Sequence, residues 1–122
     1  MAGELVASGT FVFNKNNVAI SEASGSVSIT VTSNNQFAQK GFSAIVADTA
    51  LPLGPVTAPG WLFIQNKDAT NFVTLKRAVG GATISKILPG EFCLLRLDPG
   101  ITAPSTAADT QACNIDYAVL GI

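Results

Sequence analysis

Apolar and polar residues alternate along much of this chain, as they do in β-strands whose two faces meet different surroundings. The pattern is densest in residues 60–97, where four short segments, 61–65, 71–77, 82–87 and 92–97, are rich in apolar and β-branched residues. Such residues favour strands. We therefore predict four short strands here, around which the rest of the chain packs.

Turn residues separate these four segments. Residues 66–70 carry Asn and Asp, whose side chains bond to their own backbone, and they predict a β-hairpin between the first two strands. The Gly-Gly pair at 80–81 predicts the second turn. The Pro-Gly pair at 89–90 has the spacing that a type II turn needs, and it predicts the third.

The N-terminal half begins with alternation over residues 5–13, which predicts a first strand with Phe11 and Phe13 as core anchors. Residues 14–17 are polar and predict a turn. Residues 18–21 predict a short second strand.

Residues 26–33 alternate most cleanly and predict a third strand with one dry face and one polar face of Ser and Thr. The dry face consists of Val27, Ile29 and Val31. Residues 37–47 predict a fourth strand, bent or bulged at Gly41. Its inward residues are Phe42, Ala44 and Val46.

Residues 48–59 contain three prolines and a glycine, so they predict a long loop that crosses between two sheets. Residues 98–109 predict a loop of small residues, and residues 111–120 a last strand. No segment has the apolar period and caps of a helix. The fold class is therefore all-β: an antiparallel two-sheet β-sandwich of jelly-roll or Greek-key type, with eight or nine strands and no necessary helix, in one domain over residues 1–122.

The chain is 48% hydrophobic and only 12% charged, whereas about a quarter of the residues of a typical soluble domain are charged. Charge is what usually keeps soluble proteins apart. The composition therefore indicates a surface that meets another protein, with plain β-sandwich composition as a rival explanation.

The net charge is −1, and no basic cluster exceeds the pair Lys76-Arg77. A nucleic-acid surface needs a basic stripe, so we predict no nucleic-acid partner. No apolar run reaches the ~18 residues that span a bilayer, and residues 1–4 lack the parts of a signal peptide. We expect no membrane partner and a protein made and kept in a cytoplasm.

The chain has no histidine, which removes the commonest general base and transition-metal ligand. Most of its eight acidic residues fall at predicted turns. Asp116 instead lies in the last strand opposite the face of Tyr117, where a solvated or interface-facing carboxylate is the simplest interpretation. We therefore predict no enzyme and no catalytic residue.

Two short motifs suggest ligands, and neither is complete. Asn66, Asp68 and Thr70 have the alternate spacing of a calcium loop, but the sixth position is not Gly and Arg77 stands where Glu should close the loop. The glycines at 80–81 lack the Lys-Ser or Lys-Thr of a phosphate loop. We therefore predict turns, no metal site and no cofactor.

Cys93 and Cys113 fall on predicted strands, each in phase with apolar residues. We predict two small buried hydrophobes. A cross-strand disulfide requires the last two strands to be neighbours, and a reducing compartment disfavours it.

Two residues break the pattern. Arg96 lies in an apolar strand and is costly to bury unpaired, so either the strand edge is exposed, or Arg96 pairs with an acid such as Asp116, or it meets a partner subunit. Trp61 ends the loop 48–59. A core tryptophan that caps the sandwich is the default, and an interface anchor or a sugar-stacking platform are the alternatives.

In the C-terminal half an aromatic strand leads into an NKDATN turn at residues 66–71. A PGE turn at residues 89–91 then precedes an apolar strand that contains Arg96, and the closing strand contains Asp116-Tyr117. This pattern, mainly over residues 60–120, resembles small virion structural proteins of tailed bacteriophages, of the capsid cement or decoration type. Such proteins are commonly β-sandwiches or jelly rolls that form symmetric oligomers on the shell.

The resemblance implies a structural virion protein that binds and stabilises the phage capsid shell through protein–protein contacts. Its expected partners are the major capsid protein and copies of itself, in a symmetric homo-oligomer such as a trimer or dimer. Its expected location is the capsid surface of the virion, assembled in the host bacterial cytoplasm. The alternative is a tail-associated or carbohydrate-binding β-sandwich module that stacks ligands on Trp61 or Tyr117.

The expected contact surfaces are the loops 48–59 and 98–109, the residues before Leu5 and the Ser/Thr face of the third strand. The individual contact candidates are Trp61, Arg96, Asp48, Leu51, Pro52, Leu53, Pro55, Ile101 and Pro104.

Overall fold

The computed structural model describes residues 5–31 and 35–121. In those residues every regular element is a β-strand and every strand pairing is antiparallel, which confirms the all-β class. No helix in the described residues is long and apolar enough to cross a bilayer. The chain divides after residue 32 into two compact units, which are described in turn, and the single domain over residues 1–122 stays a prediction.

The N-terminal unit consists of two strand pairs. Strand β1 (Leu5–Ala7) pairs with β4 (Val27–Ile29), and β2 (Thr10–Lys15) pairs with β3 (Val18–Ala23). Ser24 fixes the break between β1 and β2, because its hydroxyl accepts the Gly9 amide at 2.9 Å and its amide donates to the Gly9 carbonyl at 3.0 Å. The single strand expected over residues 5–13 is therefore two strands.

The β2–β3 hairpin turns at Asn16 and Asn17, whose φ angles of 52° and 66° are those of a type I′ turn. Phe11 and Phe13 lie on this hairpin and are 62% and 43% exposed. The prediction that they anchor the core is wrong. Alternation puts both side chains on one face of a strand. It does not show whether another layer of the protein covers that face.

The third predicted strand is shorter than expected. Val27 is exposed where a dry face was predicted, so that prediction is wrong at this residue. Residues 32 and 33 of the predicted strand lie outside the described residues, as do the contact candidates before Leu5.

The C-terminal unit contains two four-stranded sheets. The first sheet has, in order across it, β10 (Phe92–Arg96), β7 (Pro59–Asn66), β12 (Cys113–Gly121) and β5 (Gln36–Ala44). The second has β6 (Thr49–Ala50), β11 (Ser105–Ala108), β8 (Val73–Lys76) and β9 (Thr83–Ile87). Two such sheets agree with the predicted β-sandwich.

The described residues contain twelve strands, more than the eight or nine predicted. One reason is the division of the first segment at Gly9. The other is that β6 and β11 fall inside the two segments predicted as loops, where they pair with each other through Ala50 and Ser105. All four strands predicted between residues 60 and 97 are present, as β7, β8, β9 and β10.

The two sheets share one hydrophobic core. The first sheet contributes Ala44, Leu62, Ile64, Cys113, Ile115, Tyr117 and Val119. The second contributes Val73, Leu75, Ile87 and Ala108. The alternation predicted for the last strand is therefore confirmed.

Strand β5 bends at Gly41, as predicted. Gly41 has a φ of 71°, and the pairing between β5 and β12 shifts register opposite it, between Ile115 and Tyr117. The inward set is confirmed for Ala44, which is buried, and for Phe42, which packs against the core. Val46 is 47% exposed because β5 ends at Ala44.

Within residues 35–121 the chain changes sheets at every connection except the β8–β9 turn. The crossing predicted for the long loop is confirmed, since residues 51–58 lead from β6 to β7. The β-hairpin predicted at residues 66–70 is wrong, because β7 pairs with β10 and β12 whereas β8 pairs with β9 and β11. The type II turn at 89–90 is confirmed by a φ of 84° at Gly90 and a 3.0 Å bond from the Glu91 amide to the Leu88 carbonyl.

Asn66, fully buried at the end of β7, holds this crossing in place. Its Nδ2 donates to the carbonyls of Asn71 at 2.9 Å and Ile87 at 3.0 Å, and its Oδ1 accepts the amide of Asp68 at 2.8 Å. Its backbone bonds to the turn at residues 90–91 in both directions. Every polar atom of this buried residue is therefore paired.

We predict that Asn66→Ala lowers the free energy of unfolding by at least about 2 kcal/mol, since each buried polar group left unpaired costs about 1–3 kcal/mol. Urea unfolding followed by circular dichroism measures this change. Asn114→Ala is the matched control, because Asn114 is exposed on β12, and its expected change is within about 0.5 kcal/mol. Equal losses in the two variants would contradict the assigned role.

Candidate contact face

The outward side of the first sheet is largely apolar along β7 and β10. On β7, Leu62 and Ile64 point into the core, so Trp61, Phe63 and Gln65 point outward and are half-buried. On the neighbouring edge strand β10, the outward residues Phe92, Leu94 and Arg96 are exposed. We call the surface formed by these six residues and by Ala118 and Leu120 of β12 the outer face.

The strand register brings these side chains together. Trp61 lies opposite both Arg96 and Leu120, and Phe63 lies opposite both Leu94 and Ala118. Cross-strand neighbours of this kind are close enough to touch. The outer face is therefore a continuous row across three strands.

Two ring contacts order the outer face. The Arg96 guanidinium lies 5.5 Å from the centre of the Trp61 ring, which is within the range of a cation–π interaction. The rings of Phe63 and Phe92 have centroids 6.0 Å apart, as aromatic pairs prefer. The side chains are thus held in defined positions while Phe92 stays 63% and Leu94 40% exposed.

The structure thus brings the candidates Trp61 and Arg96 into contact. The pairing of Arg96 with Asp116 is wrong, because β7 lies between their strands and the Asp116 carboxylate instead accepts the Gly41 amide at 3.0 Å. Of the alternatives for Arg96, the exposed strand edge is the one observed. The candidate surface of Ser and Thr on the third strand belongs to the N-terminal unit, where Ser28 is exposed.

The candidates in the two loops divide by exposure. Pro52 and Pro55 are exposed, and Leu53 packs against the core. Three others, Leu51, Ile101 and Pro104, are buried within the chain, so they hold the loops in place and are removed from the contact candidates. The loops meet through the bond from the Leu51 amide to the Pro104 carbonyl at 2.9 Å.

Tyr117 is 2% exposed, so its assignment as a stacking surface is wrong. Its ring packs against Phe37 and Phe42, and its hydroxyl donates to the Pro52 carbonyl at 2.8 Å. Burial raises the pKa of Tyr117 to about 12. Tyr117 therefore fastens the loop 51–58 to the sandwich. Gly54 of that loop has a φ of 55°, and a Cβ at this position would clash with the Phe37 ring.

Asp48, another candidate, is occupied within the chain. Its Oδ2 accepts the Gly80 amide at 2.8 Å and the Lys76 ammonium at 3.2 Å. The Gly80 bond first, then the Ser105 hydroxyl and Lys76, hold the pKa of Asp48 below its usual 3.8. The Ser105 Oγ and the Asp48 Oδ1 are both buried without a hydrogen-bond partner, so the hydroxyl acts on the carboxylate only as a nearby dipole.

The turn interpretation of residues 66–70 is confirmed. The Asp68 carboxylate accepts the amides of Asn71 at 2.7 Å and Thr70 at 3.0 Å, and these bonds, the Asn71 bond first, lower the pKa of Asp68. Among the described residues no three His, Cys, Asp or Glu side chains cluster as metal ligands do.

Both cysteines are free thiols, Cys113 buried and Cys93 packed against the core. Their strands β10 and β12 are separated by β7. Burial raises the pKa of both thiols. The prediction of a small buried residue is confirmed for Cys113, whereas Cys93 is half-buried.

Sequence reasoning did not include Phe63, Phe92 and Leu94 among the candidate contact residues. The signal was present, because residues 61–64 and 92–95 are apolar at consecutive positions, which is the pattern of a strand with both faces apolar. That pattern does not say whether the second face is covered by protein of the same chain. No protein-family model, no curated protein and no solved structure matches the chain.

Folding lowers the pKa of Asp48, so its ionised form stabilises the folded state above the usual pKa of 3.8, and this contribution is lost as the pH falls below that value. We predict that Asp48→Asn lowers the free energy of unfolding at pH 7 by about 1–3 kcal/mol, and that the difference from wild type shrinks toward pH 2. Urea unfolding at both pH values measures it. The control is Asp109→Asn, whose carboxylate makes no hydrogen bond in the described residues, and a deficit independent of pH would contradict the prediction.

Proposed function

We propose that this chain is a structural virion protein of a tailed bacteriophage, a capsid cement or decoration protein that binds the shell through protein–protein contacts. The observation that carries the proposal is the outer face, an ordered apolar surface in which Phe92 and Leu94 are exposed and Trp61 and Phe63 half-buried. Contiguous exposed apolar surface marks interaction sites. The resemblance of residues 60–120 to phage virion proteins is a second, independent reason.

We also propose a jelly roll for residues 35–121. A jelly roll is an eight-stranded double sheet, which results when a long hairpin rolls up so that strands pair first with last, second with seventh, third with sixth and fourth with fifth. The pairs β5–β12, β6–β11, β7–β10 and β8–β9 support this topology. Viral capsid domains and lectins are among the proteins that use it.

In the proposed mechanism the outer face binds the major capsid protein and bridges neighbouring subunits of the shell. Burying one fully exposed large apolar side chain contributes about 1.5–3 kcal/mol. The four large residues of one outer face are already partly buried, and the entropy of association offsets much of their contribution, so a single copy is expected to bind weakly. Many identical copies on one shell then add up through multivalency. The protein would act on the capsid surface, as a symmetric trimer or dimer, after assembly in the bacterial cytoplasm.

No enzymatic activity or cofactor is part of the proposal. The sequence supplies no histidine. The carboxylates of Asp48, Asp68 and Asp98 accept backbone amides, so they are used to fix turns.

The test is binding to purified shells of the source phage that lack this polypeptide. The double variant Phe92→Ser/Leu94→Ser loses two apolar contacts of about 1.5–3 kcal/mol each, so we predict at least about tenfold weaker binding. Val79→Ser is the matched control, since Val79 is 59% exposed outside the outer face. Equal binding of the variants, or virions without this polypeptide by mass spectrometry, would sink the proposal.

The half-buried Trp61 keeps the carbohydrate-binding or tail-associated module as a second candidate, because tryptophan is a common sugar platform. Arg96 lies over that ring and competes with a sugar for it. Trp61 is the one tryptophan of the chain, so its fluorescence with and without glycans separates the two. A saturable change would favour the carbohydrate module.

A further inference from the structure

The β2–β3 hairpin has one strongly apolar face. Its register pairs Phe11 with Glu22, Phe13 with Ile20 and Lys15 with Val18, and alternation puts these six residues on the same face. We call this the aromatic face. Its four apolar residues are exposed: Phe11 by 62%, Phe13 by 43%, Val18 by 51% and Ile20 by 45%.

The opposite face of the hairpin is different in character. It carries Val12 among small or polar residues, which are Thr10, Asn14, Ala19, Ser21 and Ala23. A two-stranded hairpin is marginally stable at best when nothing covers its apolar side. The aromatic face is therefore the side that needs a partner.

The charges of the N-terminal unit indicate which partner. Lys15 and Glu22 are the two charged residues of the segment 5–31, and both are exposed on the aromatic face, at opposite ends and on opposite strands. Two copies can stack with their aromatic faces together about a two-fold axis perpendicular to the strands. The turn end of one hairpin then lies over the open end of the other. Lys15 of each copy then lies at the end where Glu22 of the other copy lies.

We propose that the aromatic face binds the aromatic face of a second copy of this chain, in an isologous two-fold contact. Such a contact requires a self-complementary surface, and an apolar centre between one positive and one negative end fulfils that requirement. The inference concerns residues 10–23 and does not depend on capsid binding, which we assign to the outer face.

The size of the face sets the expected strength. Four apolar residues per copy are far fewer than the roughly 20–30 residues per side of a stable protein interface. We therefore expect a dimer of the isolated protein that dissociates at roughly micromolar concentrations.

Sedimentation equilibrium of the full chain tests the face. We expect Phe11→Ser/Phe13→Ser to raise the dimer dissociation constant at least tenfold. Val12→Ser, on the opposite face and 67% exposed, should leave it within twofold. A wild-type protein that stays monomeric at several hundred micromolar, or equal effects of the two variants, overturns the proposal.

Charge reversal tests the orientation. We expect Lys15→Glu and Glu22→Lys each to weaken self-association at least threefold. An equimolar mixture of the two variants should associate as well as wild type, because residues 15 and 22 that face each other then have opposite charges at both ends of the contact. The differences should fade at 1 M salt, where the screening length is about 3 Å. Lys67→Glu, at an exposed turn, is the control and should change nothing. Failure of the mixture to recover overturns the two-fold arrangement, and circular dichroism of each variant separates this outcome from unfolding.

Discussion

The buried side chain of Asn66 is the constraint on which the sandwich depends. At this point the chain leaves the first sheet and enters the second, so its backbone groups lose their strand partners and must find others. Asn66 supplies them from one position: it bonds the start of the connection at Asp68, the far side at Asn71 and the end of β9 at Ile87. A hydrophobic residue of equal size would fill the space but leave these groups unpaired. The crossing between sheets therefore has a polar and directional cause.

Local structure could be predicted from the sequence, and strand pairing could not. The four strands between residues 60 and 97, the bulge at Gly41 and the turn at 89–90 depend on neighbouring residues, and all are present. The hairpin expected at residues 66–70 failed because Asn and Asp stabilise a turn in the same way whether it joins partners in one sheet or crosses to another. The crossing made by the long loop was predicted because prolines are confined to strand ends and edges, but β6 and the first residue of β7 fall inside the segment that was predicted as loop.

The candidate site shows the same division. Trp61 and Arg96 were singled out because each interrupts its surroundings, and the structure places them together. Phe63, Phe92 and Leu94 were missed because an apolar residue in an apolar strand normally indicates burial. The reverse error was made for Phe11 and Phe13, which have the spacing of core residues without a core above them. Whether an apolar face is covered is a property of the assembled chain, which periodicity does not encode.

Both units expose apolar surface on a chain whose net charge is −1, so long-range repulsion does little to keep copies apart. The positions of the few charged residues then decide whether copies associate in one orientation or aggregate without order. Arg96 interrupts the edge strand β10, which is otherwise an open template for further strands, and Lys15 and Glu22 stand at the two ends of the aromatic face. Each charge limits how a neighbour can approach an apolar surface without removing the surface itself. This arrangement favours a few defined orientations over indiscriminate association.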